Sequence, residues 1–141
     1  TDRKKDLIVT AGGKNVAPQP IENLLKTNPY IQNAVVVGGS RKFISALIVP
    51  DFDKLESYAR AKGIAFKDRS DLCRLEAVRD LMLAEVNRTT PDLASYERIK
   101  RIALLDRDFD IDAGEVTPTL KVKRTFIEKK FKAVIDSLYK E

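Results

Sequence analysis

AVVVGGSRKFISALIV, residues 34–49, is the stretch on which the fold turns. Ala34-Val35-Val36-Val37 and Phe43 to Val49 are two β-rich runs around the loop Gly38-Gly39-Ser40-Arg41-Lys42, a pattern that predicts a β-hairpin. Neither run alternates apolar with polar residues. A strand with one face in water alternates, so this pair belongs at the centre of a sheet covered on both sides. The flanking segments must supply the covers.

Upstream, Leu7-Ile8-Val9 reads as a strand and Ala11-Gly12-Gly13-Lys14-Asn15 as the turn that ends it. A short helix follows, with Ile21, Leu24 and Leu25 on its apolar face. Pro18 and Pro20 stand before it or in its first turn, and Asn28-Pro29 stops it. Downstream, Asp53-Lys54-Leu55-Glu56 has the form of a capping box opening a helix that Gly63 closes. Ser70 can cap a second helix carrying Leu72, Leu75, Val78, Met82 and Val86, broken by Thr89-Thr90-Pro91. Ile99 to Leu105 reads as a strand, and Phe109 to Thr119 as a loop with a short hairpin at Gly114. From about Thr125 to Tyr139, Ile127, Phe131, Val134, Ile135 and Leu138 form the stripe of a last helix. This order predicts an α+β fold: a small central sheet of about three main strands plus a short hairpin, with helices packed on it.

The 141 residues suffice for one domain that buries roughly two-thirds of its unfolded surface. With 43% hydrophobic and 33% charged residues the composition is that of a globular domain, and no apolar run reaches the roughly 20 residues of a spanning helix. There is no histidine, which removes His-based general bases, Ser-His-Asp and Cys-His nucleophile pairs and nearly all zinc sites. The single cysteine, Cys73, forms no intrachain disulfide and suits a reducing compartment. On a helix beside Leu72 and Leu75, it reads as a packed thiol rather than a nucleophile.

Net charge is +5, with basic residues gathered at Arg3-Lys4-Lys5 and between Lys121 and Lys132. Basic clusters suit phosphates on nucleic acid, lipid or nucleotide, although Lys129, Lys130 and Lys132 also read as a solvated helix face. The carboxylate pairs Asp51/Asp53 and Asp106/Asp108 read as caps and turn residues rather than metal ligands, so no metal site is expected.

Two segments stand above this background: DRKKDLIVTAGGKNVAPQPIE, residues 2–22, and GEVTPTLKVKR, residues 114–124. Together they resemble the C-terminal domain of the adenylate-forming enzymes, which include acyl-CoA synthetases, peptide-synthetase adenylation domains and luciferases. The first is similar to the family's hinge motif, the second to the last motif, which holds the catalytic lysine. Thr-Pro-Thr-Leu-Lys-Val-Lys-Arg, with Leu93 to Lys100 upstream, most resembles the long-chain fatty acid–CoA ligase branch. Pro20 stands where relatives commonly have Glu, and Leu120 where most have Gly. The second departure is typical of the long-chain branch; no role is carried over to Pro20.

The resemblance implies that residues 1–141 are a C-terminal domain that starts at an inter-domain hinge, a piece of a longer protein whose N-terminal ATP- and acyl-binding domain is absent here. It implies a two-step ligase: a carboxylate and ATP give acyl-AMP and pyrophosphate, then CoA displaces AMP. ATP and Mg2+ are held mainly by the larger domain, and the small domain turns between steps. Lys121 matches the catalytic lysine, with Lys123 the alternative in a register shifted by two. Lys5 matches the hinge position, Arg3 an arginine near the nucleotide, and Gly12 and Gly13 the loop along the pantetheine path to CoA. A flexible cation can join carboxylate to α-phosphate and offset charge growing on the phosphate oxygens, and glycine allows close backbone approach in a narrow tunnel.

The partners implied are the protein's own N-terminal domain, fatty acid, ATP and CoA, in the cytoplasm. Peripheral association of the full-length protein with the inner face of the membrane stays open. Two other readings stand beside this one: adenylate chemistry with another acid or with an acyl carrier protein as acceptor, and a basic module for nucleic acid or anionic lipid. No aromatic residues interleave with the basic runs as a single-strand stacking surface needs, so nucleic acid is not expected.

Overall fold

The computed structural model describes residues 7–107 and 124–139. In chain order the elements are β1 (Ile8–Val9), β2 (Asn15–Val16), α1 (Pro18–Leu25), β3 (Ile31–Val37), β4 (Ile44–Pro50), α2 (Phe52–Ala61), α3 (Arg69–Arg74), α4 (Glu76–Thr89), a 3₁₀ turn (Ser95–Glu97), β5 (Ile99–Leu104), α5 (Arg124–Lys130) and α6 (Lys132–Leu138). The α+β architecture is the expected one. Its three-stranded sheet has the order β3-β4-β5, and β1 and β2 make a separate two-stranded hairpin. The hairpin expected at Gly114 lies outside the described residues.

β3 and β4 pair antiparallel, with Val36 opposite Ala46 and Val35 opposite Leu47. β5 joins β4 in parallel, a pairing across distant segments that no local pattern announces. The continuous apolar runs come from cover on both faces, as expected, but only β4 is central: β3, expected at the centre with it, is an edge strand, because β5 pairs on the far side of β4. Ala34, Val36, Ala46, Ile48 and Ile102 face one core with Ile21, Leu25, Leu55, Val78, Met82 and Val86 of α1, α2 and α4. Val35, Val37, Leu47, Val49 and Ala103 face a second core closed by Ile127, Ile135 and Leu138 of α5 and α6. Leu47 is fully buried between the strands and the C-terminal helices, so Leu47→Ala removes about 2–5 kcal/mol of stability.

Several boundaries differ from the sequence reading, each for a packing reason. The N-cap of α2 is Asp51, whose carboxylate accepts the Lys54 N–H at 3.3 Å. Starting the helix there places Phe52 inside the core. The long helix expected from Ser70 is two helices, with Asp68 as the first cap and extended backbone at Leu75 (φ −70°, ψ 130°) between them. At ~100° per residue a continuous helix would set Leu72 and Val78 roughly 120° apart. The break brings both, fully buried, to one core. The last helix opens for one residue at Phe131, yet its hydrogen bonds continue: Phe131 N–H donates to the Ile127 carbonyl, and Ile135 N–H to that of Phe131, both at 2.9 Å.

On α1, Pro18 takes the first helical position, where a missing N–H costs nothing. Leu24 is exposed rather than inward, and Glu22 is buried in its place. At ~100° per residue the face shared by Pro18, Ile21 and Leu25 is centred so that position 22 points in and position 24 out. Among the described residues no helix is long and apolar enough to cross a membrane.

Candidate functional site

The glycine turn sits at the tip of the β1–β2 hairpin, whose strands pair Ile8 with Val16 and Val9 with Asn15. Gly13 N–H donates to the Thr10 carbonyl at 2.9 Å, and Thr10 N–H to the Lys14 carbonyl at 3.0 Å. Gly13 lies in the left-handed region at φ +81°, which L side chains rarely adopt. Gly12 has no such constraint, and a Cβ built on it meets nothing within 4 Å among the described residues. Both glycines are exposed.

This turn is laced to the β3–β4 loop. Ala11 N–H donates to the Arg41 carbonyl and Ser40 N–H to the Val9 carbonyl, each at 2.8 Å. The Lys14 ammonium stands 5.6 Å from the centre of the exposed Tyr96 ring, a cation–π distance. Behind the loop, a cleft of about 430 Å³ runs between Gly38-Gly39 and the C-terminal helices, edged by Arg41, Glu128, Lys129 and Lys132. Gly38 is a glycine by necessity: at φ +148°, its Cβ would come within 2.9 Å of the Ile44 Cα.

Two ion-pair groups fasten α5 and α6 to this body. At the start of α5, the Arg124 guanidinium forks onto Glu22, Nη1 to Oε2 at 2.9 Å and Nη2 to Oε1 at 3.1 Å. Glu22 Oε2 also accepts the Val36 N–H of β3 at 2.7 Å. Both side chains are nearly sealed, 9% and 8% exposed. At the far end Asp136 binds Arg41 and, at 2.6 Å, the Lys132 ammonium. These two hydrogen bonds, Lys132 first and Arg41 second, hold the Asp136 carboxyl below its ordinary value. The Arg41 guanidinium lies 4.8 Å from the Tyr139 ring centre, and Tyr139 O–H donates to the Phe43 carbonyl at 2.8 Å. Burial holds that phenol above its usual range.

Cys73 is half-buried against the first core. Burial first, and the Asp106 charge second, push its thiol up to about 11, so it is a protonated packing group near neutral pH. Asp51 is a helix cap, as read from the sequence, and Lys129, Lys130 and Lys132 are exposed on the helix surface. Among the described residues no group of three or more His, Cys, Asp or Glu could hold a metal ion.

Of the residues singled out in the sequence, Gly12 and Gly13 share the exposed turn, while Arg3, Lys5, Lys121 and Lys123 lie outside the described residues. Glu22 and Arg124 were not singled out. Their signal was positional: each closes one of the two motif-bearing segments, 102 positions apart.

The chain is similar to known proteins along essentially its whole length. Over 99% of its length the chain is 39% identical to the long-chain-fatty-acid–CoA ligase FadD15 of Mycobacterium tuberculosis, of which it spans 23%. Over its whole length it is 36% identical to the long-chain-fatty-acid–CoA ligase ACSBG1 of Bos taurus, spanning 22% of that protein. The chain thus matches less than a quarter of each relative. The adenylation domain of a carboxylate reductase from Mycobacterium chelonae superposes with a TM-score of 0.80 at 22% identity, over 97% of this chain and 20% of that one, a likeness of fold. Residues 5–141 match the family model of the AMP-binding enzyme C-terminal domain, and the chain belongs to that family.

Proposed function

We propose that this chain is the mobile C-terminal domain of a long-chain fatty acid–CoA ligase and works with a larger N-terminal domain of the same protein. The observation that carries the proposal is identity of 39% along essentially the whole chain with a protein named as such a ligase. In the first step the fatty acid carboxylate attacks the α-phosphorus of ATP, the bond to the β-phosphate bridge breaks, and pyrophosphate leaves. In the second the CoA thiol attacks the acyl carbonyl, the carbonyl carbon–oxygen bond to phosphate breaks, and AMP leaves. ATP and Mg2+ sit mainly on the larger domain. The full-length enzyme works in the cytoplasm.

Lys121 supplies the charge that spans carboxylate and α-phosphate in the first step, and Arg3 binds near the nucleotide. The Gly12-Gly13 turn faces the pantetheine arm in the second. The turn leaves room for this role: Gly12 is exposed, and a Cβ built on it meets nothing within 4 Å among the described residues. Lys5 is the pivot of the turn between steps.

ATP–pyrophosphate exchange by the full-length protein across a fatty acid series tests the reading. Exchange that rises with long-chain acids, followed by CoA-dependent thioester formation, is the expected result. Exchange driven only by another class of acid, or transfer to an acyl carrier protein and not to CoA, would refute it. Lys5→Pro tests the pivot, because proline fixes φ near −65° and removes an N–H. The variant is expected to form acyl-AMP while CoA-dependent turnover collapses, and Lys5→Ala to be much milder; unimpaired thioester formation in the proline variant moves the pivot elsewhere.

A further inference from the structure

We infer that Arg124 and Glu22 are positioning residues for the adenylation step, a buried clamp that fixes the point from which Lys121 reaches the active site; this rests on the role proposed above for Lys121. Glu22 is itself held in place, carried on α1 with one oxygen accepting the Val36 N–H of β3. Onto both oxygens of that carboxylate closes the Arg124 fork, at 2.9 and 3.1 Å. A two-point planar contact sets direction as well as distance, which a single contact from a lysine cannot do.

Arg124 is the first residue of α5 and stands three positions after Lys121. Three residues of chain span at most about 11 Å, so anchoring Arg124 bounds the volume that residue 121 can sample. The burial of the pair sharpens the point. With both side chains under a tenth exposed, the two charges have been taken out of water. An apolar pair of similar volume would hold α5 against the sheet as firmly or more so. What the ion pair adds is a fixed geometry at the root of the lysine-bearing segment. The clamp also joins the ends of the two motif-bearing segments, Glu22 of the first and Arg124 of the second.

The test uses the full-length protein and four variants: Lys121→Ala, Arg124→Lys, the paired Glu22→Gln/Arg124→Gln, and the triple combination of that pair with Lys121→Ala. The paired variant removes both charges of the clamp together, and the amide carbonyl introduced by Glu22→Gln can still accept the Val36 N–H. Fatty-acid-dependent ATP–pyrophosphate exchange, thioester formation from supplied acyl-AMP and CoA, and thermal melting are read for each. Displacing a catalytic group by about 1 Å costs on the order of 10²-fold, so the paired variant should lose roughly 10- to 100-fold in kcat for exchange. KM for ATP and fatty acid should stay within about threefold and thioester formation within about twofold, because the clamp acts through a lysine used in the first step only. Arg124→Lys, which keeps the charge and loses the fork, should fall between the paired variant and the natural protein. In the Lys121→Ala background the paired change should cost nothing further. Equal loss in both half-reactions, or an added loss of exchange in the Lys121→Ala background, makes the pair merely structural and overturns the inference. Exchange lost in Lys121→Ala but unchanged in the paired variant overturns the inference alone; exchange intact in Lys121→Ala overturns the lysine assignment and the inference with it.

Discussion

The C-terminal helices are held at two places by ion pairs of opposite character. At the start of α5, Arg124 and Glu22 meet in a closed site with the Val36 N–H. At α6, Asp136 draws Arg41 and Lys132 together where a third of its side chain remains in water. The first pair is costly to bury and costly to break. The second is cheap in both respects, because water and salt replace much of what is lost. Each sits at a different part of the proposed chemistry: the closed pair where the segment bearing Lys121 joins the body, the open one at the edge of the cleft beside the glycine turn.

The largest effect is expected from breaking the closed pair on one side. Arg124→Met removes the guanidinium that forks onto both oxygens of the buried Glu22 carboxylate, and removing one partner of a buried pair costs about 3–5 kcal/mol. Urea denaturation of the 141-residue chain reads this directly. Adding Glu22→Gln should restore most of the loss, since the glutamine carbonyl still accepts the Val36 N–H and the buried carboxylate charge is gone. If the double variant is as unstable as the single one, the cost lies in lost packing of the arginine stem and not in the buried carboxylate charge.

The same contrast between closed and open recurs in the two glycine-bearing loops. Gly38→Ala forces a side chain into φ +148° against the Ile44 backbone, 2.9 Å away. Such strain costs on the order of 1–3 kcal/mol. Gly12→Ala meets open space and should change the stability of the chain by no more than about 0.5 kcal/mol, as surface substitutions do. Its expected effect is on thioester formation by the full-length protein. A Gly12→Ala enzyme with both half-reactions intact would remove the pantetheine role from that position.

The apolar cores of this molecule are easier to read in the sequence than its closed polar contacts. Ala34 to Val49 declares a hairpin covered on both faces, because nearly unbroken apolar runs have no other stable place, and the two cores bear this out; of the two strands only β4 is central, since β3 ends the three-stranded sheet. The C-terminal stripe was legible for a similar reason: Ile127, Ile135 and Leu138 share one face. Glu22 was not legible as a core residue, because apolar periodicity assigns the inward face to Leu24 and cannot foresee a partner 102 residues away. The parallel pairing of β5 with β4 and the break at Leu75 escaped for a related reason. Each is settled by contacts between distant segments, with local preference on neither side. Of the candidate site, the glycine turn was found as a turn, but its attachment to the Arg41 loop depends on backbone hydrogen bonds that no residue type encodes.

The smallest expected effect belongs to Asp136→Asn, and its pH and salt dependence separates the two attachments. In the native chain the Asp136 carboxyl is held below its ordinary value, by Lys132 first and Arg41 second. A carboxyl depressed by folding favours the ionised native state. Its contribution to stability is therefore present above the ordinary aspartate range, near pH 3.9, and fades as pH falls through the lower native value. Asp136→Asn should lower the melting temperature slightly near neutral pH, and the gap to the natural chain should narrow as the solution is acidified. Salt should narrow it as well: at about 1 M the screening length is near 3 Å, and the exposed Lys132 is open to counter-ions. The Arg124→Met deficit should persist in the same salt, because the closed site admits little solvent. A gap for Asp136→Asn that widens at low pH, or that resists salt as the Arg124 deficit does, would show that the two attachments share one electrostatic character after all.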